Sequence, residues 1–140
     1  MNNYSEKIDD RYLHSEITGK ILQGFYSVLN EIGYGFGIDV YKKALFIEFQ
    51  NLALNCESDK ALKIEYKGEK IGEFNVDILV EQKVLVMLIS QEKIIQKHEI
   101  QLSNQLKNSE IEVGLLLNFF IEGEHKRKYY SNSLKRTDST

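Results

Sequence analysis

The sequence contains no proline, so one class of helix breaker is missing and glycine and asparagine are left to end the elements. It holds a single cysteine, Cys56, which has no partner for an internal disulfide, and a reducing compartment is the expectation. No apolar run reaches the length of a membrane span, and the opening M-N-N-Y-S-E-K-I-D-D is too polar and acidic for a signal peptide. The chain is therefore expected in the cytoplasm. An excess of positive charge is lacking too: the formal net charge of -3 at pH 7 argues against a chain built mainly to coat nucleic acid. His14, His98 and His125 have no metal-ligand spacing, so no zinc site is expected. Cys56 stands in a polar stretch without a basic cluster and reads as an ordinary thiol.

What is present is 140 residues, one domain's worth of chain and enough to bury a single core. Residues 1–12 read as a polar lead-in, 13–130 as a single domain and 131–140 as a disordered polar tail. From Leu13 onward, Ile17, Ile21, Phe25, Val28 and Ile32 recur at spacings of three and four and predict a helix, which Gly33, Gly35 and Gly37 break. A second helical pattern, with Asp39 as its N-cap, runs through Tyr41, Ala44, Leu45, Phe49 and Leu52. Cys56 to Lys60 reads as a polar connection, and Leu62 to Tyr66 alternates like a strand. The turn Lys67-Gly68-Glu69-Lys70 leads toward two apolar runs, Phe74 to Val80 and Val84 to Ile89, joined by Glu81-Gln82-Lys83 as in a hairpin. A helix is expected from Lys93 to Lys107 with Ile94, Ile95, Ile100, Leu102 and Leu106 apolar. A strand ending at Phe119 and an edge strand over His125 to Tyr130 follow. The strand runs are too continuously apolar for a sheet that is wet on one face, so something must cover both sides.

Asp77 is the one acidic residue inside that apolar wall. A carboxylate there costs several kcal/mol to desolvate unless it is paired, hydrogen-bonded or bound to a metal. Around it stand Y-K-G-E-K-I-G-E-F-N-V-D-I-L-V (Tyr66 to Val80), H-E-I-Q-L-S-N-Q-L-K (His98 to Lys107) and V-G-L-L-L-N-F (Val113 to Phe119). Three separated motifs in this order resemble the GxxExxxR proteins, small bacterial members of the PD-(D/E)XK nuclease-like superfamily, over roughly Leu13 to Lys128. The resemblance implies an α/β fold with a restriction-endonuclease-like core: a mixed central β-sheet with flanking α-helices, in αα-βββ-α-β order. It also implies a site in which carboxylates hold Mg²⁺ and a lysine positions or deprotonates the attacking water.

The chain departs from that pattern in three places. Met87 and Ile89 stand where the strand glutamate and lysine belong, and Ile38 stands where the helix glutamate belongs. Residues two apart on a strand share a face, so Met87 and Ile89 are expected together, toward Asp77, in a filled pocket with Ile38 beside them. Replacing clustered charges by apolar groups removes a desolvation cost of about 1–4 kcal/mol. A lone Asp77 holds Mg²⁺ weakly, so no cofactor is expected unless displaced residues rebuild the site. Asp39, Glu92, Lys93 and Lys97 are the neighbours available for that, although a step from 38 to 39 on a helix turns a side chain by about 100°.

His98 and Gln101 lie three apart on one helix face and are expected to hydrogen-bond the sheet or Asp77. The basic cluster Lys126, Arg127 and Lys128, with Tyr129, Tyr130, Lys135 and Arg136 nearby, has a composition that can contact nucleic-acid phosphates and bases. Glu122 and Glu124 dilute it, and charge on an edge strand also discourages aggregation. Tyr34 and Phe36 in the glycine bend, with Tyr129 and Tyr130, are expected to form a protein–protein surface, a homodimer being the simplest case. Two functions follow. One is a catalytically inactive pseudo-nuclease acting as a binding or regulatory module; the other is a metal-dependent DNA or RNA nuclease with a rearranged site.

Overall fold

A computed structural model describes residues 12–136. The expected lead-in lies outside the described residues apart from Tyr12, as do residues 137–140. Helix α1 (Ser15–Ile32) buries Ile21, Phe25, Val28 and Leu29. Ile32, assigned to this stripe by its spacing, is exposed, because the chain turns away at Gly33 and Leu29 supplies the last contact. Helix α2 (Ile38–Asn51) buries Tyr41, Leu45 and Phe49. Its N-cap is Gly37 rather than Asp39, which falls in the first turn, where its charge still favours the helix N-terminus.

Strand β1 (Cys56–Tyr66) is twice the expected length. The stretch read as a polar connection is itself strand, because it pairs with the far end of β2 (Glu69–Val80) from Cys56↔Val80 onward. Polar alternation is compatible with that position, since β1 is an edge of the sheet. Lys67 (φ 50°) and Gly68 (φ 83°) form the hairpin turn, both left-handed as a two-residue primed turn requires. Glu81 (φ 55°) and Gln82 (φ 56°) make the next one, leading to β3 (Val84–Ile89). Helix α3 (Gln96–Lys107) begins three residues later than its sequence pattern suggested, and buries only Leu102 and Leu106. It crosses over to β4 (Val113–Asn118), which lies parallel to β3, and β5 (Glu124–Tyr129) returns antiparallel as the second edge. The order is β1-β2-β3-β4-β5, a mixed five-stranded sheet with helices against it, consistent with a restriction-endonuclease-like fold.

Strand alternation divides the interior in two. Val84, Val86, Leu88, Leu115, Leu117 and Phe119 pack under α1 and α2 with Phe25, Tyr41 and Phe49. Leu85, Met87 and Leu116, with Val76, Leu79 and Ile111, pack under Leu102 and Leu106 of α3. Each fully buried side chain of this size stabilises the fold by about 1.5–3 kcal/mol. Two glycines permit the close approach of layers: a Cβ at Gly24 would lie 2.9 Å from the Phe49 ring, and one at Gly114 would lie 2.8 Å from Leu102 Cδ1. Tyr41 fixes the glycine bend. Its ring stacks on Phe119 at 4.1 Å, and its hydroxyl donates to the Gly33 carbonyl at 2.7 Å and accepts from the Phe36 N–H at 3.2 Å.

The tail expected to be disordered from Ser131 is instead tied down as far as Arg136. A 3-10 turn over Asn132–Leu134 is followed by Lys135, whose ammonium donates to the carbonyls of Ser109 and Ile111. Arg136 donates to the Glu65 carbonyl and to Asn108 Oδ1. The partners are carbonyls of the segment after α3 and of β1, with the Asn108 side chain, which composition alone does not reveal.

Candidate functional site

Asp77 lies where β2 parts from β3. Their register runs only over Ile78↔Val86, Leu79↔Leu85 and Val80↔Val84, which leaves the Leu88 N–H without a strand partner. Asp77 Oδ2 accepts that N–H at 2.8 Å. The carboxylate thus completes the backbone pairing that a buried amide requires. Its other oxygen points toward α2, where Lys42 Nζ lies 3.7 Å from Asp77 Oδ1 and 2.6 Å from Asp59 Oδ1. Asp59 itself sits at a left-handed position of β1 (φ 55°), between the pairs Ser58↔Ile78 and Lys60↔Val76. Asp77 and Asp59 therefore face each other across one ammonium.

Burial grades the trio. The Lys42 side chain is 14% exposed, that of Asp77 28% and that of Asp59 59%. Burial pushes the Asp77 carboxyl above the usual carboxylate range, and the Leu88 N–H and Lys42 offset this only in part. Burial also acts to lower the Lys42 ammonium. The Asp59 hydrogen bond and the charges of Asp77, Asp59 and Asp39 outweigh it, so its pKa stands above the ordinary value and the group is cationic at neutral pH. A groove of about 510 Å³ opens beside the trio, lined by Asp39, Lys43, Phe46, Ile47 and Ser58 as well as Lys42 and Asp59.

Does this arrangement fit Mg²⁺? The ion prefers octahedral oxygen ligation with more than one anionic donor. Two carboxylates are present, but the Lys42 ammonium already occupies the space between them. Among the described residues no three acidic, histidine or cysteine side chains gather. The donor set does not fit the ion while Lys42 is in place.

The other residues singled out by the sequence are dispersed. Met87 is buried and Ile89 half-buried, both on the α3 side of the sheet, whereas Ile38 packs on the α1–α2 side. They do not share a pocket and do not look toward Lys42 and Asp77; Val86 and Leu88 face that layer instead. Asp39 lines the groove without joining the ion pairs. His98 accepts the Ile95 N–H through Nδ1 at 3.0 Å, which satisfies the first turn of its own helix, and Gln101 is exposed on α3. Neither reaches Asp77, because α3 covers the opposite face. His125 contacts the Tyr26 hydroxyl at 2.9 Å, far along the chain from His14 and His98.

The basic cluster is split by strand alternation. Lys128 pairs with Glu99 of α3 at 2.7 Å, while Arg127 reaches the Leu13 carbonyl on the other face. Lys126 is exposed. The aromatic quartet is split as well. Tyr34 and Phe36 are half exposed beside Phe120 and Tyr41, whereas Tyr129 pairs with Val113 at the far end of β4. Five residues of strand separate the two ends, about 17 Å. Cys56 is an inert thiol, its pKa pushed up to about 11 by burial and by Glu81.

Reasoning from sequence missed Lys42, Asp59 and Asn118. Lys42 reads as one polar residue of an amphipathic helix, and Asp59 lies in a stretch mistaken for a loop. Asn118 carried a signal, a polar residue ending the run V-G-L-L-L: it is fully buried, and its amide holds the segment after β3 through Gln91 N–H and carbonyl, both at 2.9 Å.

A search of curated proteins and a search of solved structures each found no match. A sequence model of the PD-(D/E)XK nuclease superfamily matches residues 15–129, from the start of α1 to the end of β5, and with Asp77 on the second strand of a mixed sheet the chain belongs to that superfamily.

Proposed function

We propose that this chain is a catalytically inactive PD-(D/E)XK domain of the GxxExxxR type, serving as a binding or regulatory module. The observation that carries this reading is the Lys42 ammonium held between Asp59 and Asp77. Two nearby carboxylates need a cation, and here the chain supplies its own. Apolar Met87 and Ile89, packed against α3, support the same reading, since neither offers the oxygen ligand that Mg²⁺ requires or a group that activates water. The module works through association with a protein partner or a second copy, for which Tyr34 and Phe36 offer exposed aromatic area.

One specific observation favours a second reading. Asp77, Asp59 and Lys42 are two carboxylates and a lysine, the residue types of a metal-dependent nuclease, brought together from β2, β1 and α2. On this reading the site is rearranged, Lys42 moves aside when Mg²⁺ enters, and DNA or RNA is cleaved. Titration with Mg²⁺ and Mn²⁺ beside a nuclease assay on single- and double-stranded DNA and RNA separates the two. The inactive domain binds neither ion and cleaves nothing, and its Lys42→Met variant gains divalent-ion binding. Cleavage that disappears in both Asp77→Ala and Lys42→Met establishes the second reading.

A further inference from the structure

A second concavity lies on the other face of the sheet from Asp77. It is a groove of about 760 Å³ between β1 and the segment joining α3 to β4, closed at one end by the tail. Ligand pockets commonly measure roughly 300–1,000 Å³. Its apolar wall is Leu62, Leu79 and Ile111. Five basic side chains line it, Lys60, Lys63, Lys107, Lys135 and Arg136, against two acidic ones, Glu65 and Glu110. In a chain whose formal net charge is -3, that is a local reversal of sign.

Lys60 pairs with Glu57 and Lys63 with Glu65, whereas Lys107 and Lys135 have no carboxylate partner among the described residues. Lys135 is partly buried, and its ammonium is held by the Ser109 and Ile111 carbonyls at 2.9 and 2.8 Å. An ammonium has three donors, so one remains for an incoming acceptor. No carboxylate pairs with it within 4 Å among the described residues; of the two acids that flank Ile111, Glu112 accepts the Asn132 N–H at 2.7 Å and Glu110 lines the groove without an ion pair to Lys135. Lys107 stands exposed in the last turn of α3 and forms no ion pair among the described residues. Asn108 and Asn132 line the same wall, and each amide has a second proton beyond the one it gives to the Asn104 or Glu110 carbonyl.

We infer that this groove binds a phosphate ester of mononucleotide size. The phosphate is recognised by Lys135 and Lys107, and the apolar or planar remainder rests on Leu62, Leu79 and Ile111. Charge-assisted contacts orient the anion, and the apolar wall selects for a ring over free phosphate. The site is separate from Asp77, so it stands whether or not the domain cleaves nucleic acid.

The test is isothermal titration of the 140-residue chain with adenosine monophosphate, adenosine and inorganic phosphate, each up to about 10 mM, a range that captures millimolar affinity. Saturable binding of adenosine monophosphate, tighter than that of either fragment, is expected. Lys107→Glu and Lys135→Met should each weaken it by about tenfold or more, the effect of losing one charge-assisted contact. Lys107 is exposed, so its variant keeps the fold even if Lys135→Met loosens the tail; a thermal melt of each variant checks this. Asp77→Asn should leave the binding unchanged. Absence of saturation, equal binding by wild type and Lys107→Glu, or binding of a single-stranded oligonucleotide without adenosine monophosphate would each overturn the inference.

Discussion

The two faces of this sheet solve the problem of charge in opposite ways. Under α1 and α2 a carboxylate, a second carboxylate and an ammonium persist at the edge of the core, tied to each other and to the Leu88 amide. Under α3 the interior is wholly apolar through Met87, Leu85 and Leu116, and the cations are displaced to an open groove where water or a ligand satisfies them. The difference teaches that an acidic residue in a β-run is not by itself a metal ligand. Its role depends on which layer it meets and whether that layer brings a cation.

Putting charge into the apolar face should break this contrast most severely. Met87→Glu places a carboxylate in a buried cluster of leucines, and a loss of about 3–5 kcal/mol is expected by chemical denaturation. Adding Ile89→Lys should recover only part, because Ile89 is half-buried and a lysine there reaches toward solvent. A double variant as stable as wild type in metal-free buffer would contradict the two-face description.

Removing charge from the other face should matter less but carry a pH signature. Lys42→Met leaves Asp77 half-buried without its cation and should cost about 1–3 kcal/mol at neutral pH. The folded pKa of Lys42 lies above its ordinary 10.5, so the stability it contributes is present below that value and is lost as pH rises through the folded one. Asp77 is raised, so its ionised form costs stability near neutrality and the fold regains it as pH falls. The deficit of Lys42→Met should therefore shrink both in acid and above the lysine pKa. A deficit independent of pH would mean that only packing was lost.

The glycines that let each face pack closely sharpen the comparison further. Gly114→Ala drives a methyl to 2.8 Å from Leu102 Cδ1 and should cost about 1–2 kcal/mol. Gly24→Ala meets the Phe49 ring at 2.9 Å, but alanine gains about 1 kcal/mol of helix propensity there, so its net loss should be the smaller of the two. Paired thermal melts decide the order. The smallest effect is chemical: Cys56 should alkylate slowly at pH 8 and speed up only as pH approaches about 11, and rapid labelling at pH 8 would show that its strand opens.

The sequence by itself determined the architecture. Periods of three and four in Ile21, Phe25 and Val28, continuous apolar runs at Val84 to Ile89 and Val113 to Asn118, and short polar turns between them leave few alternatives to helices on both faces of a mixed sheet. It also singled out Asp77, because a carboxylate in such a run is costly anywhere. Only the tertiary structure decided what Asp77 touches. Lys42 is 35 positions earlier and Asp59 is 18 earlier, and no local pattern couples a helix lysine to an edge-strand aspartate. The same holds for Met87 and Ile89, whose shared face is legible from their spacing, whereas the layer that face meets depends on how β2 and β3 diverge at Asp77. Period fixes which residues point the same way; which partner waits there is set by the packing of distant segments, through contacts that leave no trace in the order of neighbouring residues.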